Sequence, residues 1–274
     1  MKATVKDVIR AMDVLAPLSL SKDWDNSGLQ VGHPDWPVGK ILVALDPVLE
    51  VVEFACENHV DMLVTHHPLF FTPLRSIRTD TPEGKMIQAA LSHPLAVFSA
   101  HTNLDMAQNG VNDILAQKIG LKEIAPLFPK EQAVSDGNSE GRYSFGRIGI
   151  LGEEMNLSGF AEIVKQRLSL ENIRVAGNPR LKVTKAATCC GSGSGMMELF
   201  FSSGAQVFIS GDLKYHDARH AEAMGLGLMD IGHFASEHIM IDALVSSLSE
   251  QLDGQGFEVE VFACDVEKEP FRVC

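Results

Sequence analysis

The chain of 274 residues has 45% hydrophobic and 22% charged residues, which is typical of a globular protein with one large domain or two ordinary ones. Acidic residues outnumber basic residues by 36 to 23, and no run of Lys and Arg forms a basic patch, so nucleic acid is disfavoured as a partner. No stretch has the roughly 18 to 20 consecutive apolar residues that a membrane span requires.

The first residues of the chain predict an amphipathic helix, because Val5, Val8, Ile9, Met12 and Leu15 recur at helical spacing. The segment has neither the unbroken apolar core nor the small-residue cleavage site of a signal peptide. The five cysteines form no CxxC pair and no even set for disulfides, which favours a reducing compartment. We therefore expect a cytoplasmic protein.

From residue 41 onward, short apolar segments alternate with amphipathic ones. They read "ILVALD", "PVLEVVEFACENHV", "DMLVTHH", "EGKMIQAALSH", "LAVFSAH" and "NGVNDILAQKIG". This alternation predicts a parallel sheet covered by helices on both faces. Residues 122–145 are polar and without periodicity, which predicts a domain junction. The alternation resumes beyond them and ends with a helix in "SEHIMIDALVSSLSEQL" and the strand "FEVEVFAC".

Potential metal ligands follow three of the predicted strands. They are His66 and His67 after "DMLVT", His101 and Asp105 after "LAVFSA", and His233 and Glu237 after "LGLMDIG". Because the carboxyl ends of parallel strands form one edge of a sheet, we expect these side chains to converge. Imidazole and carboxylate groups bind zinc, manganese, iron or cobalt, and so few ligands on two ions leave positions for water and substrate. Each histidine taken alone could instead be a hydrogen-bonded loop residue.

Two further segments offer candidates for a substrate pocket. In "KDWDNSGLQVG", Asp25 and Asn26 could line a pocket, but the same residues also form ordinary turns. In "GDLKYHDARHAEAMG", His216 is a pocket candidate on a predicted helix. His216 and His220 are four residues apart and could instead form a metal pair of their own.

The segment "CCGSGSGMMELF" places a glycine-rich turn, residues 191–195, between a predicted strand and a predicted helix. Its amide groups could cradle a phosphate, although the segment matches neither the P-loop nor the dinucleotide fingerprint. A tight turn that needs glycine backbone angles is the alternative. The adjacent Cys189 and Cys190 could be redox-active or simply buried.

The chain resembles the NIF-three-like family in a series of motifs. "WDNSGLQVG", "VTHHPLFF", "AHTNLD", "GDLKYHDA" and "GHFASE" occur in the family's order, from about residue 20 to about residue 240. The resemblance implies two α/β domains with mostly parallel or mixed sheets flanked by helices, the second inserted into the first. We expect residues 1–125 and 228–274 in the first domain and residues 126–227 in the second. The resemblance further implies a ring-shaped homohexamer and two divalent ions, with the ligands His66, His67, Asp105, His233 and Glu237.

Members of this family are often named GTP cyclohydrolase I type 2 homologues, which implies hydrolysis of a small molecule such as a nucleotide. We expect His101 to orient the attacking water or transfer a proton, and Asp25, Asn26 and His216 to bind the substrate. The alternative is a metal-binding interaction or regulatory protein without turnover. Ions with open, water-filled positions would favour catalysis, whereas protein-saturated ions would favour a structural role.

Overall fold

The structure of the chain, a computed structural model, describes residues 1–128 and 144–272. Its helices are α1 (Val5–Leu15), α2 (Leu49–Glu57), α3 (Pro82–Ser92), α4 (Thr102–Met106), α5 (Val111–Lys118), α6 (Leu157–Arg167), α7 (Met197–Ser203), α8 (Tyr215–Ala223), α9 (His233–Glu237) and α10 (Ile241–Gly254). Its strands are β1 (Ala3–Thr4), β2 (Gly28–Val31), β3 (Pro37–Val38), β4 (Lys40–Ala44), β5 (Met62–Thr65), β6 (Ala96–Ser99), β7 (Lys122–Pro126), β8 (Gly146–Asn156), β9 (Arg174–Ala176), β10 (Lys182–Ser192), β11 (Val207–Gly211), β12 (Gly227–Asp230) and β13 (Glu260–Ala263). Within these two stretches, no helix combines the length and apolar character needed to cross a membrane.

The chain forms two compact units. Unit 1 consists of Met1–Ala107 and the described residues from Met240 onward, and unit 2 consists of Gln108–Ile239. These boundaries differ from the predicted ones at residues 125/126 and 227/228. Strand pairing and helix packing account for the difference. β7 pairs with β8 and β12 pairs with β11, while α5 and α9 pack on strands of the same sheet, so all four elements belong to unit 2.

The sheet of unit 1 has the strand order β13-β4-β5-β6-β2. Its first four strands are parallel, and β2 pairs with β6 in the antiparallel direction. Residues of β5 and β6 are buried throughout, as expected for parallel strands with helices on both faces. The helices α2 and α3 pack together and share one apolar core with the strands, while α10 packs against β4 and β13. The carboxyl ends of β4, β5 and β6 therefore form one edge, where ligand sites of open parallel sheets lie.

The sheet of unit 2 has the strand order β7-β8-β10-β11-β12-β9. Its centre, from β10 to β12, is parallel, and β7, β8 and β9 pair in the antiparallel direction. Phe200 and Phe208, both fully buried, stack with ring centroids 5.3 Å apart in the core. The two sheets are thus of parallel and mixed type, which confirms the predicted α/β fold class.

Several local predictions need correction. Residues 28–31, for which no strand was predicted, form β2, because they supply hydrogen bonds to the edge of β6. Residues 122–126, predicted as the start of an irregular junction, form β7, whereas residues 129–143 of that junction lie outside the described residues. The single helix predicted from residue 236 is interrupted by a 3-10 turn at His238–Met240, which coincides with the boundary between the two units.

Candidate metal centre

His66 and His67 leave the carboxyl end of β5 in unit 1. The strand ladder continues past this end, because the His66 N–H donates to the Ala44 carbonyl at 3.2 Å and the His67 N–H donates to the Leu45 carbonyl at 2.9 Å. These bonds fix the backbone of both residues before Pro68. The two imidazole ring centroids are 5.1 Å apart with their planes inclined by 47°, so the adjacent rings remain neighbours.

Oxygen acceptors hold the Nδ1 atoms of the three histidines that follow β5 and β6. His66 Nδ1 lies 2.9 Å from the Ala100 carbonyl. His67 Nδ1 lies 2.7 Å from Asp46 Oδ1, and His101 Nδ1 lies 2.7 Å from Asp25 Oδ1. A carbonyl or carboxylate oxygen only accepts, so each Nδ1 carries a proton and Nε2 is the ring atom left to bind a metal. Metal-ligating histidines are oriented in this way.

Asp25 is the most firmly held of these acceptors. Its side chain is fully buried and accepts hydrogen bonds from Thr102 Oγ1 at 2.6 Å and Ser27 Oγ at 2.7 Å besides the one from His101. Burial by itself would raise the pKa of the Asp25 carboxyl, but the hydrogen bonds from His101, Thr102 and Ser27 outweigh it and hold that pKa far below its ordinary value. The geometry therefore shows Asp25 orienting His101, and its predicted contact with substrate stays a prediction.

The three histidines form one group of potential ligands. One nitrogen atom from each of His66, His67 and His101 lies within 4.8 Å of the others. Asp105, a buried residue of α4, places Oδ1 at 3.6 Å from His66 Nε2. The Asp105 N–H donates to the His101 carbonyl, so the short helix α4 brings both side chains to the same group. Neutral imidazole nitrogen beside carboxylate oxygen is a donor set that a divalent first-row ion binds.

Two exposed aromatic side chains flank His101. Trp24 is 65% exposed and Phe71 is 52% exposed, and their rings lie edge-on to the His101 ring with centroid distances of 6.2 and 5.5 Å. Asn26, predicted to bind substrate, donates from Nδ2 to the Phe70 carbonyl at 2.7 Å. Asn26 thus ties the loop of Trp24 to the loop of Phe71.

In unit 2, α9 begins directly after β12 and carries His233 and Glu237 one turn apart. His233 Nε2 lies 3.0 Å from Glu237 Oε2, and His233 Nδ1 lies 2.7 Å from Asp212 Oδ2. Glu237 is buried, and Asp212 follows β11 with a left-handed backbone angle φ of 51°. His233 Nε2 and Glu237 Oε2, 3.0 Å apart, are close enough to bind the same cation. Their spacing of four residues places both side chains on one face of α9, as predicted.

The glycine-rich residues 191–195 make room for this pair. A Cβ atom on Gly191, whose φ is +60°, would lie 2.2 Å from Glu237 Oε1 and 3.3 Å from His233 Nε2. The Gly191 N–H donates to Ser236 Oγ at 2.8 Å, which fastens the end of β10 to α9. The glycine at this position serves the close approach of Glu237 to the strand. Cys189 and Cys190, the preceding residues of β10, are both buried.

His216 is exposed on α8, and His220 on the same helix packs its ring 4.5 Å from the ring of Phe201. Among residues 1–128 and 144–272, neither histidine belongs to a group of three or more potential ligands. The substrate-binding role of His216 stays a prediction.

Two functional candidates, Asp46 and Asp212, were missed by the sequence interpretation. Each is the first acidic residue after a buried strand, in "LVALD" and "VFISGD", and each holds a histidine Nδ1. Applying the strand-end rule to every carboxylate as well as to histidines would have found both residues.

Comparison with known proteins places this geometry in context. The model of the family described as Duf34/NIF3 (NGG1p interacting factor 3) matches residues 3–270. A Clostridium perfringens protein named GTP cyclohydrolase 1 type 2 homolog is 33% identical over 268 residues, with 98% of each chain covered. A Streptomyces coelicolor protein of the same name is 32% identical over 270 residues, covering 97% of this chain and 93% of that protein. The crystal structure of a Bacillus cereus protein related to NIF3 aligns with a TM-score of 0.90 at 27% identity over 99% of both chains.

Proposed function

Because the chain belongs to the Duf34/NIF3 family, we propose that it is a metal-dependent hydrolase that uses two divalent ions. The ligands in this proposal are His66, His67 and Asp105 of unit 1 and His233 and Glu237 of unit 2. One observation carries the proposal: three histidines gather in unit 1 while oxygen acceptors hold the Nδ1 atom of each. A held Nδ1 atom alone does not mark a ligand, because Nδ1 of the exposed His93 also lies 3.0 Å from the Ala89 carbonyl. The convergence of three such rings supports the metal site.

The donor set fits divalent first-row ions. Neutral imidazole nitrogen and carboxylate oxygen suit zinc, manganese, iron and cobalt alike, so the donor types do not choose among these metals. When bound, a pair of such ions lowers the pKa of a coordinated water and polarises an oxygen atom of the substrate.

His101 is the residue to which we assign proton transfer. Asp25 stays anionic and keeps His101 Nδ1 protonated, so Nε2 can accept a proton in the reaction. His101→Ala should therefore abolish turnover. If metal content falls in parallel, His101 serves as a further ligand; if metal content is retained, His101 acts on the proton alone.

The proposed substrate is a small molecule with a planar ring, and a nucleotide is the leading candidate. Curated relatives are named GTP cyclohydrolase 1 type 2 homolog. With GTP as the substrate, hydrolysis would open the imidazole ring of guanine. The exposed rings of Trp24 and Phe71 beside His101 support this choice, because aromatic side chains offer stacking surfaces to planar rings.

Turnover of GTP tests the proposal directly. Protein loaded in turn with zinc, manganese, cobalt and iron is incubated with GTP, other nucleotides and phosphoesters. We expect turnover in the wild type and in His93→Ala, whose histidine is exposed at the end of α3, but not in the His66→Ala, Glu237→Ala double variant. Equal rates in the wild type and the double variant with GTP would reject a cyclohydrolase activity.

A metal-binding interaction protein without turnover is the second candidate. The family description names an interacting factor, which favours this alternative. Full metal loading with no turnover of any nucleotide or phosphoester would support it over the hydrolase.

The ring-shaped hexamer and the cytoplasmic location stay predictions. Analytical ultracentrifugation tests the first: a mass six times the 29.8 kDa of one chain is expected. A monomer or dimer at micromolar concentration would contradict it.

A further inference from the structure

A cavity of about 310 Å³ lies within unit 2, separate from the groups of potential metal ligands. Its volume is at the lower end of the range of roughly 300 to 1,000 Å³ for small-molecule sites. Three buried side chains, Ile119, Leu151 and Phe160, contribute to its lining and provide an apolar floor. Such a floor accepts the hydrocarbon part of a ligand.

Two cationic side chains line the same cavity. Lys122 is the first residue of β7, and Arg167 is the last residue of α6. The Arg167 guanidinium lies directly on the backbone of Gly120, since a Cβ on that glycine would be 1.5 Å from Arg167 Nη1. Gly120 has φ of +88°, so glycine is favoured there by conformation as well as by space. Because residue 120 has no side chain, the Arg167 guanidinium can pack against its backbone and line the cavity.

The charge of the cavity opposes that of the whole chain. Within the described residues, neither Lys122 nor Arg167 forms an ion pair, and Glu153 is the one acidic residue of the lining. Two cations and one anion leave the lining with a charge of +1, in a chain whose formal charge is −13. This local excess suits a ligand with a single negative charge better than a phosphate dianion.

From this combination we propose that the cavity binds an amphipathic carboxylate. The ligand's carboxylate would receive charge-assisted hydrogen bonds from the Arg167 fork and from Lys122, and its apolar chain would cover Phe160 and Leu151. The site is independent of the proposed hydrolase activity, because none of its residues is among the proposed metal ligands.

Octanoate is the probe for this site, and its binding to the full chain is measured by saturation-transfer difference NMR. We expect saturable binding of octanoate, and much weaker binding of acetate, which lacks the apolar chain, and of octanol, which lacks the charge. Arg167→Gln and Lys122→Gln should each weaken octanoate binding about ten-fold or more, the usual effect of losing a charge-assisted hydrogen bond. Both residues are exposed, so neither substitution threatens folding.

Matched controls remove equivalent charges elsewhere in unit 2. Arg219→Gln and Lys182→Gln alter exposed cations that are paired with Glu222 and Glu154, each at 2.8 Å. Both controls should bind octanoate like the wild type. Equal binding by Arg167→Gln and Arg219→Gln, or octanol binding as tight as that of octanoate, would overturn the proposal.

Discussion

Replacing Gly191 by alanine should damage the part of unit 2 that holds Glu237. The new Cβ would lie 2.2 Å from Glu237 Oε1, far inside normal contact distance, so the carboxylate must move. A Cβ in the left-handed region, here at φ +60°, costs about 1–2 kcal/mol. Overpacking a filled site costs about 1–3 kcal/mol more. We therefore expect the free energy of unfolding to fall by about 2–5 kcal/mol.

Gly195→Ala is the matched control, because a Cβ at Gly195 meets no atom within 4 Å and its backbone angle is not left-handed. This substitution should be neutral or stabilise the chain by up to about 1 kcal/mol. Urea unfolding of the metal-free protein is followed by circular dichroism. Tryptophan fluorescence would report on the wrong unit, since Trp24 and Trp36 both belong to unit 1.

A double-mutant cycle with Glu237→Ala separates the two causes. Without the Glu237 carboxylate the collision disappears, and Gly191→Ala should then cost only the about 1–2 kcal/mol of backbone strain. The reasoning is refuted if Gly191→Ala costs the same in both backgrounds, or if it behaves like Gly195→Ala.

Two further predictions concern other carboxylates. Asp212→Ala removes the acceptor of His233 Nδ1 and should lower the affinity for divalent metal by about 10- to 100-fold in competition with a chromophoric chelator; an equal loss in Asp253→Ala, on the exposed end of α10, would contradict this. Asp7→Ala removes the acceptor of the Thr4 N–H and hydroxyl at the start of α1 and should cost about 1 kcal/mol at pH 7 in urea unfolding. The hydrogen bond from the Thr4 side chain lowers the pKa of Asp7. The contribution of Asp7 to stability is therefore complete above the ordinary aspartate pKa and is lost as pH falls through the folded-state pKa. A stability advantage of the wild type that does not shrink in acid would refute the assignment.

The potential ligands could be predicted because they follow a local rule. An apolar run that stops at a histidine or carboxylate marks the end of a buried strand, and this rule found His66, His101 and His233. The supporting acceptors Asp46 and Asp212 obey the same rule but were overlooked, since a lone aspartate after a strand is also a common turn residue.

Other features depend on partners distant in sequence. β7 is a short, mostly exposed strand whose identity comes from pairing with β8, and its sequence alone has no strand-like alternation. The role of Gly191 depends on Glu237, 46 residues later, so the glycine-rich segment could be interpreted only as a phosphate cradle or a turn before the fold was known. The domain boundaries predicted at residues 125/126 and 227/228 differ from the limits of the two compact units for the same reason, because β7 and β12 join a sheet formed by strands elsewhere in the chain.

Elemental analysis of the reconstituted, dialysed protein tests most directly the claim that oriented histidines bind metal. We predict two divalent ions per chain in the wild type and in His93→Ala, and fewer in His66→Ala and in Glu237→Ala. A wild-type protein that retains no metal, or a metal content that neither substitution lowers, would contradict the account.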